Sequence, residues 1–504
     1  VSDVREGDRP PEPNGSDNVL AALDRRPPTS FYWSLTLLAT LGGFLFGYDT
    51  ANIGSALDFI PYHLGGFALG YLVAGASVGA AVGAITAGPA TDVFGRKSLL
   101  VVDAGIYASG ALLSAVSWNA GVLIAARTLI GLAIGADSAI ATAYISEYAP
   151  SDRRGALSML QQWMITVGIL TSYLVALVVL RTMPGNAYGF DWRLMFGLGA
   201  VPALAALVLR TRMPESPRWL LQQGRYEDAR TALGKLGVDV PLRHIERTAA
   251  AFEEEDRRRS GEKRVSHWTP GVRRALVVVS VFFVFQQITG INVPLYYGPH
   301  LLAPLFLTGG HGKAVDAAIA GVEVTAIMTA VNVAATYFGF KYIDRIGRRR
   351  LAMGAYAGMA ASAVLAAAGL GLLRGTAEIV VVMTGLDLFI AAFAVGVGGT
   401  GWLIQGETFP TAVRGRAASL CATADWLANF ALIEVFPSWQ GVIGLSGVLV
   451  CFAGLCLLAI VFVYVFLPET KGLSVEEIIH LYEDQARAAR SPARPGSAPR
   501  PRPG

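Results

Sequence analysis

Asp92-Val93-Phe94-Gly95-Arg96-Lys97 stands between two long apolar runs, and Asp344-Arg345-Ile346-Gly347-Arg348-Arg349 stands between two others in the second half of the chain. Further pairs recur in the same order. Glu147 lies seven residues before Arg154-Gly155, and Glu407 lies seven before Arg414-Gly415. Pro214-Glu215-Ser216-Pro217-Arg218 closes the first half and Pro468-Glu469-Thr470-Lys471-Gly472 the second. Three matched pairs in one order describe a duplicated unit, and the apolar flanks make it a membrane unit.

Composition agrees. The 504 residues are 53% hydrophobic and only 15% charged, with a mean hydropathy of +0.48, which is outside the range of soluble multidomain chains. The net charge of +4 gives no reason to expect a nucleic-acid partner. Cys421, Cys451 and Cys456 all fall in apolar runs, where packed thiols are expected and disulfides or metal sites are not. Residues 1–30 are polar and Pro-rich, so no cleavable signal peptide is expected ahead of the first apolar run at Phe31.

Runs long enough to cross a bilayer, about 20 residues, fall near 33–57, 67–91, 98–117, 121–143, 156–180 and 192–210. Six more fall near 274–300, 317–341, 350–373, 378–405, 415–437 and 442–467. The predicted fold is therefore all-α and integral to the membrane, with twelve transmembrane helices in two six-helix halves, 31–210 and 274–470. A cytoplasmic helical linker (211–273) joins them. Residues 1–30 form a disordered cytoplasmic tail, and 471–504 a cytoplasmic helix, capped by Ser474 with Glu477, running into a disordered Pro- and Arg-rich end. With both termini cytoplasmic, the outer loops hold only Arg181, Arg193, Lys313 and Arg374, and Arg127 is the one basic residue read as deep in a helix.

An ionisable group in hydrocarbon is costly unless paired. Arg127 lies roughly 9 Å below the outer surface at about 1.5 Å per residue, and Asp49, about 24 Å up the first helix, reaches the same level. They form either a static packing pair or a proton switch in which protonated Asp49 releases Arg127. Asp58, Asp103, Asp137, Glu323, Asp387, Asp425 and Glu434 are read as acids without an obvious basic partner.

Helix 7 carries Gln286-Gln287-Ile288-Thr289-Gly290-Ile291-Asn292-Val293-Pro294. Gln287 and Asn292 are about 140° apart on a regular helix, so only a break at Gly290 and Pro294 turns both to one cavity. Amides donate and accept, which suits a neutral polyhydroxylated ligand. Gln161 and Gln162, Asn332 and Asn429 extend the set, and Trp402 and Trp426 offer faces for a sugar ring. Singly, each of these side chains could instead be interhelical glue.

The order G-Y-D, D-V-F-G-R-K, A-R-T-L-I-G, E-Y-A-P-S-D-R-R-G, P-E-S-P-R-W-L, Q-Q-I-T-G-I-N, D-R-I-G-R-R, E-T-F-P-T-A-V-R-G and P-E-T-K-G, spanning roughly 35–475, resembles the sugar porter family of the major facilitator superfamily. The resemblance implies that Gln162, Gln286, Gln287, Asn292, Asn332, Asn429 and Trp402 line a sugar site. It also implies that Asp49 with Arg127 matches the proton-coupling pair of the bacterial sugar/proton symporters, an acid that the glucose facilitators lack. The chain departs from the family pattern in four places, the first a short loop after the first helix near Pro61-Tyr62-His63. Glycines fill 396–401 where prolines are usual, Thr142 replaces a Pro, and Asp137 is an unexpected acid.

The expected function is secondary active transport of a sugar or polyol across the cell membrane by alternating access, with proton symport. A facilitative uniporter and a transporter-like sensor are the alternatives. An ATP-driven pump is disfavoured because Gly312-Lys313-Ala314 is not a nucleotide loop, and an enzyme because the six His are scattered. The partners expected are the sugar, the proton and the lipid bilayer; no cofactor or metal is called for, and the protein is expected to be a monomer. The duplicated charged stretches are expected to form an inner gate, with Asp92, Arg96, Glu147 and Arg154 in one cluster and Asp344, Arg348, Glu407 and Arg414 in the other.

Overall fold

The computed structural model describes residues 30–62, 64–148, 154–183, 186–250, 268–306, 313–473 and 475–490. The N-terminal tail, the charged run 253–259 and the proposed cap at Ser474 lie outside these residues, as do the side chains of Glu147 and Arg154. Spans α1–α5 run over Ser30–Ala56, Phe67–Phe94, Arg96–Ala115, Ala120–Tyr148 and Arg154–Thr182. α6 comprises Trp192–Leu198 and Ala200–Thr211, and α7 comprises Pro270–Ile288 and Asn292–Leu302. α8 is Lys313–Ile346, α9 Arg348–Leu372, and α10 Thr376–Gly396 with Thr400–Thr408. Thr411–Phe466 is helical except at Gly444, whose φ of 72° divides it into α11 and α12.

Ten stretches of the described residues are long and apolar enough to cross a membrane. One of them is the α11–α12 pair, and α1, with 27 residues, completes the twelve. The expected spans are recovered, each with ends shifted by a few residues. Two short helices, Pro217–Gln222 and Tyr226–Lys235, follow α6, and Ser216 caps the first by accepting from the Trp219 amide at 3.3 Å. Trp219, Leu220, Leu221, Ala229 and Leu233 pack with Val238, Val240 and Ile245 into a small core of their own. A final helix, α13 (Val475–Arg490), packs on α7.

Within each half the helices approach closely because small residues face each other. In lipid there is no water to expel between helices, so packing has to supply the attraction. α2 and α4 meet at Gly131 and Gly135, where an added Cβ would lie 1.8 Å and 1.9 Å from the carbonyl oxygens of Ala76 and Ala80. The halves meet along α2–α11, α5–α8 and α1 with the second part of α7. That geometry leaves the central site between them.

Candidate functional site

The break in α7 is where the sequence placed it. Gly290 takes φ +97°, a conformation that side-chain-bearing residues avoid, and a Cβ there would lie 2.4 Å from the Phe452 ring. The break brings the two amides together. Asn292 Nδ2 donates to Gln287 Oε1 at 2.7 Å and to Asn429 Oδ1 at 2.9 Å. Gln287 Nε2 donates to Asp425 Oδ1 at 2.6 Å, and Asn429 Nδ2 donates to Ser77 Oγ of α2 at 2.9 Å. A polar line, Asp425–Gln287–Asn292–Asn429–Ser77, thus crosses from one half to the other. Buried Tyr296 brings this line next to α1, since it adjoins both Asn429 and Thr50, the neighbour of Asp49.

Gln286 faces away from that line. Its Nε2 donates to the Gly398 carbonyl at 2.9 Å, in the glycine break of α10, while its Oε1 is buried without a partner. A Cβ on Gly398 would lie 3.5 Å from Gln162 Nε2, so both amides converge on this break. Asn332 is buried in α8. Trp402 is half-buried with its ring edge-on to Phe283 at 5.0 Å. Trp426 departs from expectation: it is 3% exposed, its ring 4.8 Å from that of Phe46, and it packs among residues of the first half. It presents no open face for stacking in this conformation, because it is buried against Phe46 of α1.

Asp49 and Arg127 meet at 3.2 Å, both buried. The guanidinium spends its remaining donors on the α2 backbone, with Nε to Leu72 O at 3.1 Å and Nη2 to Val73 O at 3.3 Å. A fixed fork of donors suits such a site, and removing one buried partner costs about 3–5 kcal/mol.

Arg127 is not the only deep basic residue. Arg210 of α6 is equally buried, contacts Asp137 at 2.8 Å, and donates to Leu100 O at 3.0 Å. It stands at the end of α6 next to the charged linker, and α1, α3 and α4 close over it. Two more acids read as unpartnered are paired, Asp58 with His300 and Glu323 with Arg181. Asp425 has an amide partner. The pairs of Asp58 and Glu323 bridge the halves at the end away from the duplicated charged stretches. Near them Tyr173 OH donates to Leu295 O at 2.8 Å, and a Cβ on Gly70 would lie 2.3 Å from Glu434 O. That end is closed.

At the charged end Asp344, Arg348 and Glu407 do form one cluster, with Arg348 at 2.9 Å from Asp344 and 2.6 Å from Glu407. Arg414 Nε donates to Phe409 O at 3.0 Å. In the first half Arg96 and Asp92 are 3.7 Å apart. Two participants were read in the sequence only as repeats. The Glu215 carboxylate accepts from the backbone N–H groups of Arg96 and Lys97 at 3.0 and 3.1 Å, and that of Glu469 from Arg348 and Arg349 at 2.8 and 3.1 Å. Each acid caps the N-terminus of a span, α3 or α9, where orphan donors and the helix dipole favour negative charge. Gly95 (φ +86°) and Gly347 (φ +98°) make room: a Cβ at either would lie about a bond length inside contact, 2.4 or 2.5 Å from the carboxylate. The matched positions of the two P-E-[ST] segments carried the signal.

A family model described as "Sugar (and other) transporter" matches residues 35–482. The chain is 34% identical to the glucose transporter GlcP of Staphylococcus epidermidis over 456 residues, covering 88% of this chain and 95% of that one. It is 33% identical to the arabinose-proton symporter of Bacillus subtilis, covering 91% and 97%. In structure it is similar to the partially occluded inward open conformation of the xylose transporter XylE from E. coli, with a TM-score of 0.74, 28% identity and coverage of 88% and 100%. These likenesses run the length of both halves and include the duplicated charged stretches, and with them the chain belongs to the sugar transporter family of the major facilitator superfamily, as a transporter and not an enzyme.

Proposed function

We propose that this protein moves a sugar or polyol together with a proton across the cell membrane, as a monomer with both termini and the charged end in the cytoplasm. The observation that carries the reading is the linkage through Tyr296. The buried Asp49–Arg127 pair of one half lies within electrostatic reach of Tyr296, which also adjoins Asn429 of the amide line, so a change at one is felt at the other.

The mechanism follows from the partners each group has. Gln162, Gln286, Gln287, Asn292, Asn332, Asn429 and Trp402 take the ligand, whose hydroxyls replace amide–amide bonds with amide–hydroxyl bonds at little net cost. Trp426 joins them only when the halves separate enough to uncover it. A proton on Asp49 cancels its attraction for Arg127 and frees α1 to move against α4. The rearrangement is then favoured with both ligands bound, because each binds one conformation better than the other. Asp92, Arg96, Glu147 and Arg154, with Asp344, Arg348, Glu407 and Arg414, hold the charged end shut while the site faces outward.

The relatives named for glucose and arabinose set the first substrates to try, and inositols extend the set to polyols. A thermal-shift screen of the purified protein selects the ligand, and uptake into proteoliposomes under an imposed pH gradient tests the coupling. Asp49→Asn should bind and exchange substrate but not accumulate it. Accumulation by that variant equal to wild type, and equally abolished by a protonophore, would overturn the role of Asp49.

A further inference from the structure

The Arg210 cluster has no part in the cycle described so far. Arg210 contacts Asp137 Oδ1 at 2.8 Å and donates to the carbonyls of Leu100 and Ala39 at 3.0 and 3.4 Å. Asp103 lies on α3 just beyond Leu100; it is only 6% exposed, and its Oδ2 is buried without a partner, as is Asp137 Oδ2. Asp103 is near enough to interact with the charges of both Asp137 and Arg210. The groups facing Asp137 are therefore Arg210 from α6 and Asp103 from α3, while α1 presents Gly42, where a Cβ would lie 1.0 Å from Asp137 Oδ2. One carboxyl is paired with a fixed cation, and a second is buried within reach of both charges. An uncompensated buried charge costs several kcal/mol, and one proton shared between the acids removes it.

The placement of the cluster gives that proton a use. Asp137 is ten residues beyond Arg127 on α4, about 15 Å nearer the charged end at 1.5 Å per residue. Between the two sites stands Tyr107, one turn from Asp103 on the same face of α3. Its hydroxyl donates to Leu45 O at 2.9 Å and lies within electrostatic reach of Asp49 and Arg127. Asp137 also lies against α1, which carries Asp49 itself and passes over it at Gly42. A movement of α1 that alters one therefore alters the other.

We propose that Asp103 and Asp137, set about Arg210, form the proton-release station of the transport cycle. When the charged end opens, the proton they hold leaves to the cytoplasm. The proton carried by Asp49 replaces it, and Asp49 returns to a carboxylate paired with Arg127. One proton enters and one leaves. The proposal rests on Asp49 carrying the transported proton, and the experiment separates the two ideas.

Wild type, Asp49→Asn, Asp137→Asn and Asp103→Asn are compared in proteoliposomes for substrate binding, counterflow exchange, accumulation under a pH gradient, and proton release to a dye trapped in the lumen. Asp137→Asn and Asp103→Asn should bind and exchange, with accumulation reduced to the level of wild type plus protonophore and proton release lost. Asp103→Asn breaks no hydrogen bond seen in the structure, so it decides the matter should Asp137→Asn fail to fold. Wild-type accumulation and proton release in a folded Asp103 or Asp137 variant, beside their loss in Asp49→Asn, would overturn the station and leave the coupling standing. Wild-type accumulation in all three would overturn both. Parallel loss of binding, exchange and accumulation in the Asp103 and Asp137 variants would make the cluster structural and also overturn the station.

Discussion

Gln287 has an exacting position in the amide line, since its amide both donates to Asp425 and accepts from Asn292. Gln287→Ala leaves a buried acceptor and a buried donor unpaired, and the loss in binding is about 1–3 kcal/mol. Substrate binding should weaken by roughly ten- to a hundredfold, at about 1.4 kcal/mol per factor of ten, in a protein that still folds; titration calorimetry on the ligand from the screen measures this. Unchanged affinity would make the line a packing device. This residue was legible in the sequence because an amide pair in an apolar run is rare and needs a reason. Arg210 was not, because nothing in its neighbours along the chain points to Asp137, and only the packing of α1, α3 and α4 around it removes it from water. Glu215 and Glu469 were visible as repeats, but their capping of a distant helix depends on the tertiary fold.

The two broken spans, α7 and α10, turn single residues into a site. In α7 the break rests on one residue: without φ +97° at Gly290 the helix would continue and leave Gln287 and Asn292 on different faces. Gly290→Ala meets two obstacles, a left-handed backbone costing about 1–2 kcal/mol and the Phe452 ring at 2.4 Å from the new Cβ. It should lower thermal stability and weaken ligand binding more than Gln287→Ala does. The double variant Gly290→Ala/Phe452→Ala removes the clash but not the backbone strain, so binding should recover only in part. Full recovery would show that the ring, not the backbone, sets the break. The α10 break illustrates the limit of sequence reading. A run of glycines announced flexibility there, but the anchoring of Gly398 by Gln286 is a contact between two spans far apart in sequence that no local pattern encodes.

At the scale of the whole molecule, the halves are joined at the far end by two kinds of contact of unequal strength. The Arg181–Glu323 pair is exposed, and such pairs are worth about 0–1 kcal/mol. Backbone contact between α2 and α11 is less forgiving, because Gly70 leaves no room between its Cα and the Glu434 carbonyl. A side chain at 70 would have to displace a helix rather than another side chain. Gly70→Val should therefore prevent closure of the far end, keep the site open to the outside, and abolish net transport while leaving substrate binding from outside intact. Glu323→Gln should change the conformational balance only slightly. Distances between spin labels on the far ends of α2 and α11 read the outcome directly: the Gly70 variant should show a single longer distance, insensitive to ligand and to pH. A Gly70→Val protein that still samples the short distance and still transports would mean that α2 and α11 can slide past each other, and closure would then have to be assigned to α1 and the second part of α7, where Gly54 lies against the Tyr296 carbonyl at 2.7 Å from a built Cβ.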